Sequence, residues 1–232
     1  PSFNVSNTRR VFNGLTGLSR SLRTFVRLDH EPISALDLRN AQPAMLALLL
    51  HPSEAKGPSE YKTRFLGCLS SSSSPLPADR SSVSGLLASF RHRFSSHSFA
   101  ILDDYWSFLD LVRSGDLWSH LIALCLSAGV PLPNGDAARD HVKRLLLRDV
   151  IAKRGRYPSP FERVFAEAFP SICQFVWWAN AEHHATLICV LQRIESWLVV
   201  ENVAPKLVGR IPIVTLHDAI YSRTRDRPLP PG

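Results

Sequence analysis

Two aspartates, Asp37 and Asp218, each close a short apolar run. Ile33-Ser34-Ala35-Leu36 precedes the first, and Ile213-Val214-Thr215-Leu216-His217 precedes the second. The backbone ladder of a strand holds a carboxylate at its end in place. Two such carboxylates on neighbouring strands can hold two divalent ions about 4 Å apart, which activate an attacking hydroxyl and stabilise a leaving pyrophosphate. Mg²⁺ (or Mn²⁺) suits this work, because it takes carboxylate oxygens together with substrate phosphates. Taken singly, an Asp after a strand is more often a turn former or a helix cap.

A basic segment lies between them. From Asn134 to Arg156 there are seven Lys/Arg and three Asp. Arg139 and Lys143 are four apart and share one helix face, and Arg144 and Arg148 form an adjacent row. Lys153, Arg154 and Arg156 extend the zone. Such a helix could clamp a triphosphate, or it could be a solvated face whose long stems lie along apolar surface.

The order of these features resembles motifs A, B and C of the family A DNA polymerases and the related single-subunit phage RNA polymerases. In motif A the metal-binding Asp is followed at the fifth position by Glu; Asp37 matches the Asp, and Gln42 stands at the Glu position. In motif B an Arg precedes the phosphate-binding Lys by four, as Arg139 precedes Lys143. In motif C an apolar strand ends in His-Asp, as Leu216-His217-Asp218 does. Gln192 stands where the family has a helix Gln facing the primer–template minor groove. The resemblance spans residues 30–225. It departs at Ile151 and Ala152, where motif B carries an aromatic and Gly, at Ala44 for an Arg, and at Ala219 for a Glu.

The resemblance implies a template-directed nucleotidyltransferase of the DNA polymerase kind. Asp37 and Asp218 would bind Mg²⁺ or Mn²⁺. Arg139, Lys143 and Gln42 would hold a nucleoside triphosphate. Gln192, His217, Arg144 and Arg148 would contact a DNA or RNA primer–template. The alternatives are a non-catalytic basic nucleic-acid-binding module or degenerate polymerase fold, and a helical interaction protein.

The elements that must position these residues follow from periodicity and breakers. The fold class expected is α+β: a small antiparallel palm-like sheet with a mainly helical fingers-like subdomain. Residues 1–30 carry five arginines and read as helix or extended arm. Ile33 to Leu38 reads as a strand, and Gln42 to Leu50 as a helix with Pro43 in its first turn. Residues 51–98, with the Ser70–Ser74 run, read as a loop-rich insertion. Apolar residues from Ile101 to Val112 fall at helical spacing, and Gly115 ends that helix. Further helices are expected at Leu117–Ser127, from an Asp136 cap to Lys153, at Phe161–Ala168 and Ser171–Asn180, and at Glu182–Val203, the last opened by His183-His184 and closed by Pro205 and Gly209. Gln192 and Glu195 fall on its more polar flank. Ile211 to Leu216 and Ala219 to Tyr221 read as the strands of a hairpin, and Arg223 to Gly232 as a tail. In domain terms the reading is 1–52 (arm and motif A), 53–99 (insertion), 100–205 (helical, motif B) and 206–232 (motif C and tail).

Composition sets the outer bounds. The 232 residues are 45% hydrophobic and 20% charged, as in an ordinary globular protein. The formal charge of +7 favours a polyanionic partner, because Lys and Arg that neutralise phosphates release counterions. Four cysteines without CxxC pairing argue against a disulfide framework and fit a reducing cytoplasm. No apolar run reaches the ~20 residues needed to span a bilayer, so no membrane partner is expected. The chain starts at Pro1 and not at Met, which reads as a fragment or a processed chain, one that could lack further domains. His183-His184 with Cys189 falls short of the four ligands of a closed zinc site. Trp177-Trp178 reads as core and interface, with one ring able to stack on a base. No P-loop or dinucleotide fingerprint occurs.

Overall fold

A computed structural model of the chain describes residues 4–5, 11–38, 40–50, 103–216 and 219–226. The structure is α+β, with several helices and a small antiparallel sheet. It divides into two compact units. One takes Pro1–Ala41 and Gln192–Gly232, the other Gln42–Leu191.

The first unit is built on strands. β1 (Asn4–Val5) and β2 (Val11–Phe12) pair with each other, and α1 (Arg20–Arg23) is a single turn capped by the Ser19 hydroxyl. β3 (Arg27–Leu28) turns into β4 (Glu31–Asp37) through Asp29 and His30, both at positive φ (52° and 66°). Two such residues make a tight hairpin whose twist matches the flanking strands. β5 (Ile213–Leu216) and β6 (Ala219–Arg223) complete a four-stranded sheet in the order β3-β4-β6-β5. The β-branched and aromatic residues of β5 and β6 suit a pleated, half-buried surface. Asn13, just after β2, donates its side-chain N–H to the Thr215 carbonyl at 2.7 Å and so ties the chain's beginning to β5. Leu216, Ala219 and Ile220 are buried, as are Ile194, Trp197, Val199 and Ala204 from the helical part of the same unit.

The second unit is helical. α2 (Ala41–Leu50) carries Pro43 in its first turn. α3 (Asp103–Ser114) stops at Gly115, whose φ of 89° only glycine adopts without strain, and α4 (Leu117–Ser127) follows. α5 (Asp136–Leu145) runs on into a π-helical stretch, Leu146–Ile151. α6 (Pro160–Ala168) and α7 (Pro170–Ala179) come next. α8 (Thr186–Ser196) leads back into the first unit, through a second π-helical stretch (Trp197–Val203) to α9 (Ala204–Leu207). Phe108, Phe165 and Phe169 form an edge-packed aromatic cluster, with Phe169 5.3 Å from each of the other two rings. Tyr105 donates its hydroxyl to the Ala47 carbonyl at 3.0 Å and joins α3 to α2.

Several local expectations change. Gly135, at φ 64°, takes the N-cap position, and Asp136 lies in the first turn, where its charge still suits the helix dipole. The long helix begins at Thr186 rather than Glu182. Asn180 accounts for this: its Oδ1 accepts from the Leu187 N–H at 3.0 Å, while its Nδ2 donates to the Ile151 carbonyl at 2.8 Å. His183-His184 therefore precedes the helix. Pro205 lies in the first turn of α9 and does not end a helix. Arg223 belongs to the sheet, not to a tail. The expected 51–98 insertion lies outside the described residues. Among the described residues no helix is long and apolar enough to cross a membrane.

Phe165 is fully buried. Phe165→Ala is expected to cost about 3–5 kcal/mol of stability. Urea unfolding of parent and variant, followed by circular dichroism, checks this.

Candidate functional site

The register of β4 on β6 positions the first carboxylate. Ile33 pairs with Arg223 at one end and Asp37 with Ala219 at the other. β5 pairs with β6 so that Leu216 lies opposite the same Ala219. Asp37, Leu216 and Ala219 thus stand side by side on three adjacent strands. His217 and Asp218, which join Leu216 to Ala219 in the sequence, lie outside the described residues. Asp37 is exposed at the end of its strand, beyond Leu36, which is 51% exposed.

Charge pairing gathers at the opposite end of the sheet. Arg223 contacts Asp226 at 2.6 Å and Asp29 at 3.4 Å. Arg225 contacts Glu31 at 2.6 Å. The Thr224 hydroxyl donates to the Pro32 carbonyl at 3.0 Å. These contacts bind the last residues of β6 and the turn after it to the β3–β4 hairpin, and so favour one register.

The donor chemistry at Asp37 fits a hard divalent cation, which prefers carboxylate oxygen accessible to water and phosphate. Among the described residues no group of three or more His, Cys, Asp or Glu gathers around one point. Two-carboxylate sites of the kind expected here leave the remaining positions to substrate and water. His183 and His184 lie with ring centroids 4.5 Å apart. Desolvation, His183 and Arg154 together lower the His184 pKa.

The second unit holds the basic residues. On α5, Ala138, Val142 and Leu145 are buried, and Arg139 and Arg144 are exposed without an ion pair to a described residue. Lys143 is half-buried, with its Nζ 5.8 Å above the Trp118 ring and 3.8 Å from Asp140. Arg148 is turned onto its neighbour: its guanidinium meets both oxygens of the buried Asp149, at 2.5 and 2.9 Å. Ile151, at the motif B aromatic position, is a fully buried core residue. Gln42 is the second residue of α2, half-buried in the helical unit; Gln192, on α8, is half-buried and belongs to the sheet unit. Glu195 corrects the expectation of a polar flank, because it is 1% exposed. Ile194, Glu195, Ser196 and Trp197 are all buried, so the helix is enclosed on more than one side at that level and has no polar flank there.

A further cluster in the helical unit was not singled out by spacing. Glu162, on α6, is 1% exposed. The Lys153 ammonium lies 2.8 Å from one of its oxygens and 2.6 Å from the other, and the Trp177 indole N–H donates to it at 3.0 Å. Lys153 is therefore committed to a buried carboxylate rather than extending a phosphate clamp. The available signal was Ser159-Pro160-Phe161-Glu162, a helix-start pattern. The Ser159 hydroxyl does accept from the Glu162 N–H at 3.1 Å. The Glu162 side chain, which that pattern would send back to the cap, goes to Lys153 and Trp177. Nearby, burial and then the Glu162 charge push the Cys173 thiol up to about 12, which makes it inert as a nucleophile.

Comparison with protein-family models, curated proteins and solved structures finds no match to this chain.

The Arg148 hydrogen bond, more than the Ser159 hydroxyl or the Arg148 and Lys153 charges, holds the Asp149 carboxyl below the usual range against the cost of burial. A carboxyl depressed in the folded state stabilises above its unfolded value and loses that contribution as pH falls through its folded value. The parent is expected to be more stable than Arg148→Met at neutral pH. The gap should close as pH drops below about 3.9, the ordinary aspartate value. Thermal melts across that range check the sign.

Proposed function

We propose that the chain carries out template-directed nucleotidyl transfer, with Asp37 and Asp218 as its metal-binding carboxylates. The observation that supports this most is the strand register. Asp37 lies opposite Ala219, the residue that directly follows Asp218 in the sequence, and Leu216 lies on the other side of Ala219. A strand-end aspartate opposite the residue that follows a second aspartate in the sequence is in keeping with the motif A and motif C resemblance. Bound Mg²⁺ or Mn²⁺ would supply activation of a primer 3′-hydroxyl and neutralisation of the leaving pyrophosphate.

The remaining roles rest on the resemblance. Arg139, Lys143 and Gln42 would hold the triphosphate, His217 the primer end, and Gln192 the duplex. Arg144 is exposed and suited to a phosphate. Arg148 would reach one only in competition with Asp149.

Primer extension with Mg²⁺ or Mn²⁺ tests the proposal. Asp37→Ala and Asp218→Ala are each expected to lower extension by at least about 100-fold, more than the loss typical of outer-shell changes at a metal site. Circular dichroism should show both variants folded. Extension that survives either substitution removes the mechanism. A parent that binds nucleic acid with a steep salt dependence but never extends a primer is a binding module instead.

A further inference from the structure

The helical unit carries an open cleft of about 490 Å³. Arg156 and Pro158 line it from the segment before α6, Arg163 and Ala166 from α6, and Trp177 from α7. The Lys153–Glu162 pair also lies in its wall.

The charge in this wall is simple. Lys153 cancels Glu162, so Arg156 and Arg163 leave a surplus of two positive charges. Both arginines are exposed, and neither has an ion pair with a described residue. Their guanidiniums can give bidentate hydrogen bonds to a phosphate. The aromatic component is fixed in place. Trp177 is 51% exposed, yet its indole N–H is anchored on the buried Glu162. A ring held at one edge with half its surface open is a ready stacking platform that loses little freedom on binding.

Fixed aromatic surface in one cleft with two uncommitted guanidiniums matches a polyanion whose units carry planar faces. We propose that this cleft binds single-stranded nucleic acid, one base stacking on Trp177 and neighbouring phosphates held by Arg156 and Arg163. Duplex fits less well, because its base faces are already stacked on one another. The site requires neither the carboxylates of the sheet unit nor a metal, so it stands apart from nucleotidyl transfer.

The test is anisotropy of a short labelled oligo(dT), competed with duplex of equal length, with dTTP, with inorganic polyphosphate and with poly-glutamate. Oligo(dT) is expected to bind more tightly than every competitor. Arg156→Ala/Arg163→Ala, at two exposed positions, is expected to weaken binding at least about tenfold. It should also lower the slope of log affinity against log salt by about 1.4, the share of two phosphates on a single strand. Trp177→Gln is expected to weaken oligo(dT) by ~5–150-fold, the range for one stacked base, and to leave polyphosphate affinity unchanged. Because Trp177 also anchors on Glu162, a milder variant guards against misfolding: oligo(dT) should quench tryptophan emission in the parent, and Trp177→Phe should abolish the quenching. Unchanged affinity in the double arginine variant overturns the proposal. So does polyphosphate, poly-glutamate or duplex binding as tightly as oligo(dT). Equal binding of dTTP would make the occupant a mononucleotide and overturn the single-strand assignment.

Discussion

The pairing of β4 with β6 is the constraint on which the sheet unit depends. Side chains alternate between faces along a strand, so a slip of one residue would turn every side chain of β4 to the wrong side. A slip of two would restore the faces but move Asp37 from Ala219 to Tyr221. The backbone ladder alone does not choose between these registers. The contacts of Arg223, Thr224 and Arg225 with the β3–β4 hairpin favour the observed one. Exposed ion pairs of this type add little to overall stability. Their effect is selective: they stand at one end of the sheet and determine which residue reaches the other.

The helical unit is organised around a different constraint, the burial of Glu162. A carboxylate taken out of water needs a cation and hydrogen bonds to offset its lost solvation. Lys153 and the Trp177 indole supply these, from the segment before α6 and from α7 respectively. One side chain thereby fixes three pieces of chain. The Arg148–Asp149 pair likewise offsets the burial of a carboxylate, in the middle of the π-helical stretch. Two cations of a segment that looks uniformly basic are thus committed to internal carboxylates, and fewer of its cations are open to an external anion.

Glycine and proline made much of the helical order legible. Leu117–Ser127 has the bounds expected, and Gly115 marks its approach. The β5–β6 hairpin was legible from β-branched residues on both sides of a two-residue gap. Asp37 at a strand end followed from the same alternation. Other features carried no local signal. β1 and β2 are two residues each, too short for periodicity to register. The π-helical stretches are not written in any spacing. The start of α8 depends on Asn180, a residue that looks like a loop residue. The burial of Glu162 and Glu195 ran against the ordinary expectation for a charge, and Lys153, nine residues from Glu162, lies in a different element.

Phe169 ends α6 and also stands as the cap of α7, with Pro170 opening the second helix immediately. Its own ring is buried against Phe108 and Phe165. In the first turn of α7, Asp104 accepts from the backbone N–H and the hydroxyl of Ser171, at 2.8 and 2.6 Å. The corner has no loop, so it has no slack. Evolutionary drift in chain length cannot be absorbed there: one inserted or deleted residue would rotate α7 by about 100° and carry Trp177 off the edge of Glu162. Length variation among descendants of this sequence must therefore collect elsewhere, and the α6–α7 corner should be inherited as an unbroken block.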